Sequence, residues 1–434
     1  MTEAVVIDDL AQWRECRDCG LFQCLPEIPD GEAAVCARCD ALLRRAAADS
    51  VRIARFSAVG AAVLFVLALT LPLVELHVLG RSDQSTIFSG PRVLRGQGLE
   101  HVALVVLLTV VVMPAAKLFV ELTVLFGVTL AHPPRWLPWL FGWLEHISPW
   151  AMVEVFLLGG VVAYTRLQAL AAVDVGLAAL ALGGTMLAMV AVDATLDREA
   201  IWEALDAGTP HPGQKRPSAP GSSEATATLI GCTACRRVAR AEEGDRCPRC
   251  SHRLGARKGP FGRVWALLVA AALLYVPANV LPVMTIERLA QGGPTTIANG
   301  VIELARAQLW PLAVIVFLAS IVVPVVKLVS LSAMMVMTHR RSASRLAGRT
   351  RLFRFVRFIG RWSMIDVFTL SILVGVVRFG AIASVLPGLG AAAFCGVVLL
   401  TMAATELFDP RLMWDAAGRQ EEAFDRPEVA HAGA

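Results

Sequence analysis

Apolar residues dominate eight stretches of this chain, and the polar residues between them gather in short, distinctive runs. The stretches fall near 56–74, 99–131, 149–171 and 173–196, and again near 262–284, 304–338, 362–384 and 388–408. Each matches the roughly 20 residues that a helix needs to cross a hydrocarbon core. The pattern predicts eight spanning helices in two sets of four. Between the first two of each set lies a polar stretch containing TIFSG (86–90) or TIANG (296–300). It predicts a short ordered element outside the membrane, a helix or a strand pair.

The two sets are copies of one unit. Leu71-Pro72 recurs as Leu281-Pro282, Thr86-Ile87 as Thr296-Ile297, and Gly90 as Gly300, all at a shift of 210. Pro114-x-x-Lys117-Leu118 recurs without a gap as Pro324-x-x-Lys327-Leu328. At a shift of 212, WAMVEVF from Trp150 matches WSMIDVF from Trp362, and Arg166, Asp197 and Trp202 fall on Arg378, Asp409 and Trp414. Four spans per copy is an even number, so the copies are parallel repeats. The predicted fold class is an all-α polytopic membrane protein of two four-helix units. The reading divides the chain into an N-terminal module (1–50), a first unit (51–206), a Pro/Ser/Gly linker (207–228), a second module (229–256), a second unit (257–416) and a disordered tail (417–434).

Charge sets the orientation. The stretch 340–361 carries eight arginines and no acid, and basic clusters also precede the first and fifth spans. Short basic loops stay cytosolic, which puts both termini inside. The first residues carry acids where a secretory leader would be basic, and no signal peptide is visible. The chain is 56% hydrophobic and 18% charged, too apolar for the surface of a soluble protein of this size. Its net charge of +4 is too weak to argue for nucleic acid.

Eight of the ten cysteines form four C-x-x-C pairs. Cys16, Cys19, Cys36 and Cys39 make one set, and Cys232, Cys235, Cys247 and Cys250 make another. Two such pairs complete a closed tetrahedral thiolate site, the pattern of structural zinc, so two zinc ions are expected. Metal binding would supply folding energy that so short a segment cannot draw from a core. Thioredoxin-like redox chemistry is the rival, without a βαβ pattern around either pair. Cys24 and His252 are alternative ligands that the pairs leave unneeded, and Cys395 reads as a small core residue.

Ionisable residues inside the spans need an explanation, since each costs about 2.5–3.5 kcal/mol on insertion scales. Counting inward at ~1.5 Å per residue puts Asp366 about 7 Å and Lys327 about 16 Å deep, close enough to meet. Ser320 and Thr401 would join them in one polar cluster. The first unit repeats the charges as Lys117 and Glu154, with Glu121 one turn away, but has Val110 and Met189 in place of the hydroxyls. A buried ion pair that fixes helix register is the structural alternative. Arg166 and Arg378 approach the outer ends of their spans, where they would snorkel to lipid phosphates or contact a transported head group. Pro114 and Pro324 should kink the spans just before each lysine.

The two cysteine modules, read as zinc ribbons, together with Pro-x-x-Lys and W-x-M-[IVL]-[DE]-V-F resemble the paraquat-inducible protein A family, over nearly the whole chain. The resemblance implies a bacterial inner-membrane partner of periplasmic MCE-domain proteins, which traffics phospholipid across the envelope. It further implies zinc at the eight paired cysteines, a functional network of Ser320, Lys327, Asp366 and Thr401, and a tetraspanin- or claudin-like unit. Glu154 departs from the family's aspartate. The chain lacks a G-x-x-x-x-G-K-[ST] loop and is not expected to be an enzyme. If transport is driven, Asp366 protonating against Lys327 is the coupling device. The competing functions are a zinc-ribbon scaffold or stress sensor and a membrane thiol oxidoreductase.

Overall fold

A computed structural model describes residues 13–25, 28–47, 49–78, 81–168, 172–208, 228–241, 244–255, 261–288, 291–376, 383–418 and 431–432. Eight helices are long and apolar enough to cross a membrane, which makes the chain a multi-pass membrane protein. They are Ser50–Thr70, Glu100–Gly127, Leu137–Gln168 and Leu177–Thr195, then Phe261–Val280, Trp310–His339, Leu346–Val376 and Leu389–Leu407. We refer to them as spans one to eight.

The element order of the first half repeats in the second, down to local irregularities. A π-helical turn interrupts span two at Leu108–Val112 and span six at Leu318–Val322, just before Pro114 and Pro324. A proline has no amide hydrogen to give the preceding turn, so the ladder slips there instead of running on.

Spans three and seven begin earlier than hydropathy predicts. Leu137–Ile147 runs through a 3₁₀ turn into Val153–Gln168. The arginine-rich stretch, expected as a loop, is mostly the helix Leu346–Gly360, which continues through Arg361–Met364 into Ile365–Val376. Leu346, Phe353 and Val356 bury one face of that helix and hold it in place.

Away from the ribbons, each half carries a three-stranded antiparallel sheet, the expected strand pair with a third strand that the sequence reading did not foresee. The hairpin Val74–Val78 and Arg81–Ser85 pairs on its other edge with Ala172–Val175. Its copy joins Met284–Arg288 and Gln291–Thr295 to Ala383–Pro387. Each sheet therefore ties the first loop of a half to its last, and a short helix follows each hairpin, at Ser89–Gly96 or Ile297–Arg306.

The halves meet at spans three and seven. Gly159 lets the backbones close, since a Cβ there would lie 3.0 Å from that of Phe368. Thr369 donates to the Gly159 carbonyl at 3.2 Å, and Phe156 meets Phe368 edge-on at 5.7 Å. Gly90 sits backbone-to-backbone on Ser371 in span seven, where any Cβ would overlap the Ser371 carbonyl.

The two cysteine modules dock crosswise. The N-terminal one packs its cysteines among Val264, Leu268, Leu331, Met335, Phe353 and Trp414, all of the second half. The second module packs against Ala58, Val120, Phe141, Trp202 and Leu205 of the first. They also touch each other, the Glu15 amide donating to the Arg236 carbonyl at 3.1 Å. Most of the linker read as flexible, and residues 419–430 of the tail, lie outside the described residues; His431–Ala432 pairs with Ala33–Ala34 as an added strand.

Candidate functional site

Each cysteine pair sits on a tight knuckle. The amides of Cys16, Cys36, Cys232 and Cys247 are bonded to the carbonyls of Leu21, Ala41, Arg237 and His252. The residue after each second cysteine then turns left-handed, with φ of 72° at Gly20, 55° at Asp40, 59° at Arg236 and 58° at Ser251. Only Gly20 adopts this without a Cβ penalty, so the other three rely on the knuckle's hydrogen bonds.

This geometry converges four sulfurs twice. Cys16 lies 3.6 Å from Cys39 and Cys19 3.5 Å from Cys36; Cys232–Cys250 and Cys235–Cys247 are both 3.5 Å. A tetrahedron with metal–sulfur arms of ~2.3 Å has edges of about 3.8 Å. The two buried tetrads therefore fit one four-coordinate metal each. Neither needs Cys24 or His252.

The ribbons dock through matching residues. Arg38, inside the Cys36–Cys39 pair, lies 4.8 Å over Trp414, and Arg249, inside Cys247–Cys250, lies 5.5 Å over Trp202. Arg249 also pairs with Glu199 at 2.8 Å and Asp206 at 2.7 Å. Burial alone would raise the Glu199 carboxyl, but hydrogen bonding from Arg14 and the charge of Arg249 hold it below its usual range. Arg411 joins Glu15 at 2.9 Å and Asp409 at 2.6 Å; burial opposes its charge, and those two carboxylates more than compensate.

Among the cavities between the halves, two divide the charged members of the expected polar cluster, Lys327 lining one and Asp366 the other. The larger, about 460 Å³, lies toward the ribbons and is lined by Lys117, Glu154, Asp193, Lys327, Arg361 and Glu406 among others. The smaller, about 50 Å³, lies toward the second sheet and is lined by Arg166, Thr296, Gly300, Asp366, Thr369 and Phe394 among others.

The expected ion pairs do not form. Among the described residues Lys327 and Asp366 are not paired; the Lys327 Nζ and the Asp366 Oδ2 are each buried without a partner. The Ser320 hydroxyl, beside Asp366, donates to the Val316 carbonyl at 2.6 Å, and the charge that acts on the Asp366 carboxylate is Arg166 from the other half. Thr401 lines neither cavity and bonds back to Val398 at 3.0 Å. In the first half Lys117 pairs with Asp193 at 2.7 Å and approaches Glu121 at 3.7 Å. Glu154 pairs with Arg361 of the second half at 3.1 Å. Helical rotation explains the difference, because depth alone does not say which way a side chain points.

Asp193 and Arg361 were not singled out from the sequence. The repeat offered a signal for Asp193, whose equivalent is Thr405: a carboxylate present in only one copy asks for a partner in that copy. Arg166 is partly buried, its guanidinium near Gly300 and its Nε without a partner, so it points between the halves and not to lipid phosphates. Arg378 lies outside the described residues.

The family model for paraquat-inducible protein A matches residues 54–206 and again 261–418. The chain is 34% identical to the intermembrane transport protein PqiA of Escherichia coli K12, over 94% of this chain and 96% of that one. It is 28% identical to the lipophilic envelope-spanning tunnel protein A of the same strain, over 95% and 93%. A probable intermembrane transport protein of Haemophilus influenzae is 26% identical over 94% and 97%. No solved structure matches the chain. The chain belongs to the paraquat-inducible protein A family.

Proposed function

We propose that this protein is the inner-membrane subunit of an MCE-type transport system, passing phospholipid between its two halves. The names of its relatives support an envelope transport role. On this reading the ribbons face the cytosol and each holds one zinc ion, which supplies folding energy and no chemistry. The two sheets face the periplasm and a partner with an MCE domain.

The observation that carries the reading is the pair of cavities between the halves, each holding an unpartnered buried charge-bearing atom. Such groups are costly at membrane depth and are kept where they do work. Ser320, Lys327, Asp366 and Thr401, with Lys117 and Glu154, are proposed to serve that transport. Protonation of Asp366, beside Ser320 and Arg166, is the proposed coupling step, with Lys327 acting in the other cavity. Thiol exchange is the weaker reading, since each tetrad uses all four sulfurs and leaves no resolving pair.

Purification from bacterial envelopes tests the reading: phospholipid and an MCE-domain protein should accompany the chain. Asp366→Asn and Lys327→Ala should insert normally yet fail an envelope-integrity assay. Normal integrity from both variants at wild-type abundance would remove the coupling step, and the absence of any co-purified lipid would leave a scaffold.

A further inference from the structure

The ribbon-side cavity contains an imbalance that the duplication itself explains. Its three carboxylates are each matched: Asp193 by Lys117 at 2.7 Å, Glu154 by Arg361 at 3.1 Å, and Glu406 by Arg357 at 2.9 Å. Of its other arginines, Arg198 reaches Glu145 at 3.1 Å and Arg354 reaches Asp18 at 3.1 Å, both outside the cavity. Among the described residues of this cavity, Lys327 alone is left over. It is 1% exposed, and its Nζ has no partner. Glu406 is the carboxylate whose charge reaches it, and that carboxylate is already committed to Arg357.

The equivalent Lys117 shows what is missing. Its partners Asp193 and Glu121 become Thr405 and Leu331 in the second half, so both carboxylates are absent there. The backbone meanwhile keeps room for the ammonium. Gly360 faces it, and a Cβ at that position would lie 3.0 Å from both Cε and Nζ of Lys327. A buried lysine without a counter-charge gives up its proton, and it stays a cation only where an anion joins it.

We propose that this cavity binds a phosphate anion at Lys327, in the form of a phospholipid's phosphodiester. The volume, about 460 Å³, lies in the range of ligand sites and far above the ~10–15 Å³ that one water needs. The wall beside the charges is formed by Met186, Met189, Val190 and Met402, an apolar and deformable surface suited to the start of an acyl chain. Lysine is a compact point charge and binds phosphate oxygens without a fixed fork. This assignment names the ligand class for the transport reading above and rests on it for the lipid; the anion site itself stands on Lys327.

The test uses purified full-length protein stripped of lipid, with short-chain phosphatidylglycerol, diacylglycerol of the same chains, and inorganic phosphate as probes. Phosphatidylglycerol should bind and diacylglycerol should not compete. Lys327→Gln should weaken binding about tenfold, the loss of one charge-assisted contact. Thr405→Asp keeps the lysine but restores the carboxylate that Lys117 has, and should weaken binding as much. Competition by inorganic phosphate with the same dependence on Lys327 would uphold the anion site and assign it to free phosphate. Wild-type binding by both Lys327→Gln and Thr405→Asp, or equal competition by diacylglycerol, would overturn the proposal. Loss of binding with intact envelope function would sink the transport reading and leave the anion site standing.

Discussion

Lys117 and Lys327 occupy the same place in two copies of one helix, in opposite electrostatic surroundings. Around Lys117 a carboxylate lies 2.7 Å away, and Glu121, itself 1% exposed, has that lysine as its ion-pair partner at 3.7 Å. Removing Lys117 would strand a buried carboxylate, at a cost of roughly 3–5 kcal/mol. Lys327 has no such dependent. Lys117→Met should therefore lower the thermal unfolding temperature markedly, while Lys327→Met should leave it unchanged or raise it. Equal losses would show that Lys327 has a partner after all. Glu154 and Arg361 are each about 30% exposed, so Glu154→Gln should cost under about 1 kcal/mol and act more mildly than Asp366→Asn in an envelope-integrity assay. Most of the residues charged at membrane depth were legible in the sequence, Asp193 of span four being passed over. Their pairing was not, because it depends on helix rotation and on partners from the other half.

The elements themselves were legible where hydropathy speaks and obscure where it is silent. The spans are long apolar runs, and their number follows from length alone. The sheets are made of short, mixed strands such as Arg81–Ser85 and Gln291–Thr295, and each hairpin's pairing with a strand far along the chain has no local signature. The arginine-rich helix Leu346–Gly360 hid behind its charge, though its apolar residues recur at helical spacing. Glycines at helix contacts give a test at this scale. Gly90 meets the Ser371 backbone, which cannot rotate away, whereas the nearest atom to Gly300 is in the Arg166 guanidinium at 3.3 Å, the end of a flexible chain. Gly90→Ala should push the first half's short helix off span seven and destabilise by about 1–3 kcal/mol. Gly300→Ala should be tolerated. Thermal melting of both variants in one detergent makes the comparison, and equal tolerance would mean that the contact of Gly90 with Ser371 is not close-packed in solution.

At the scale of the whole molecule, the crossed docking of the ribbons is the feature that chain order conceals. Each ribbon precedes one membrane unit in sequence, and the simplest expectation is that it braces that unit. The structure exchanges them: Cys16, Cys19, Cys36 and Cys39 pack with Leu331, Met335 and Phe353, and Cys232, Cys235, Cys247 and Cys250 with Val120, Phe141 and Trp202. No local pattern announces this, although Arg38 and Arg249, one residue before the last cysteine of each set, find Trp414 and Trp202 at equivalent places in the two halves. A consequence separates crossed from direct docking. A tetrad that loses a sulfur loses the metal that would organise it, and with it the apolar surface offered to its partner unit. Cys36→Ser should therefore increase hydrogen exchange in Leu346–Gly360 and at the ribbon-side end of span six, within the second half. Cys247→Ser should do the same in Leu137–Ile147 and in Arg198–Gly208, within the first. Chelation of metal from the unaltered protein should loosen both sets together. If Cys36→Ser instead loosened Leu137–Ile147 and spared Leu346–Gly360, each ribbon would be bracing its own unit, and the crossed arrangement would have to be given up.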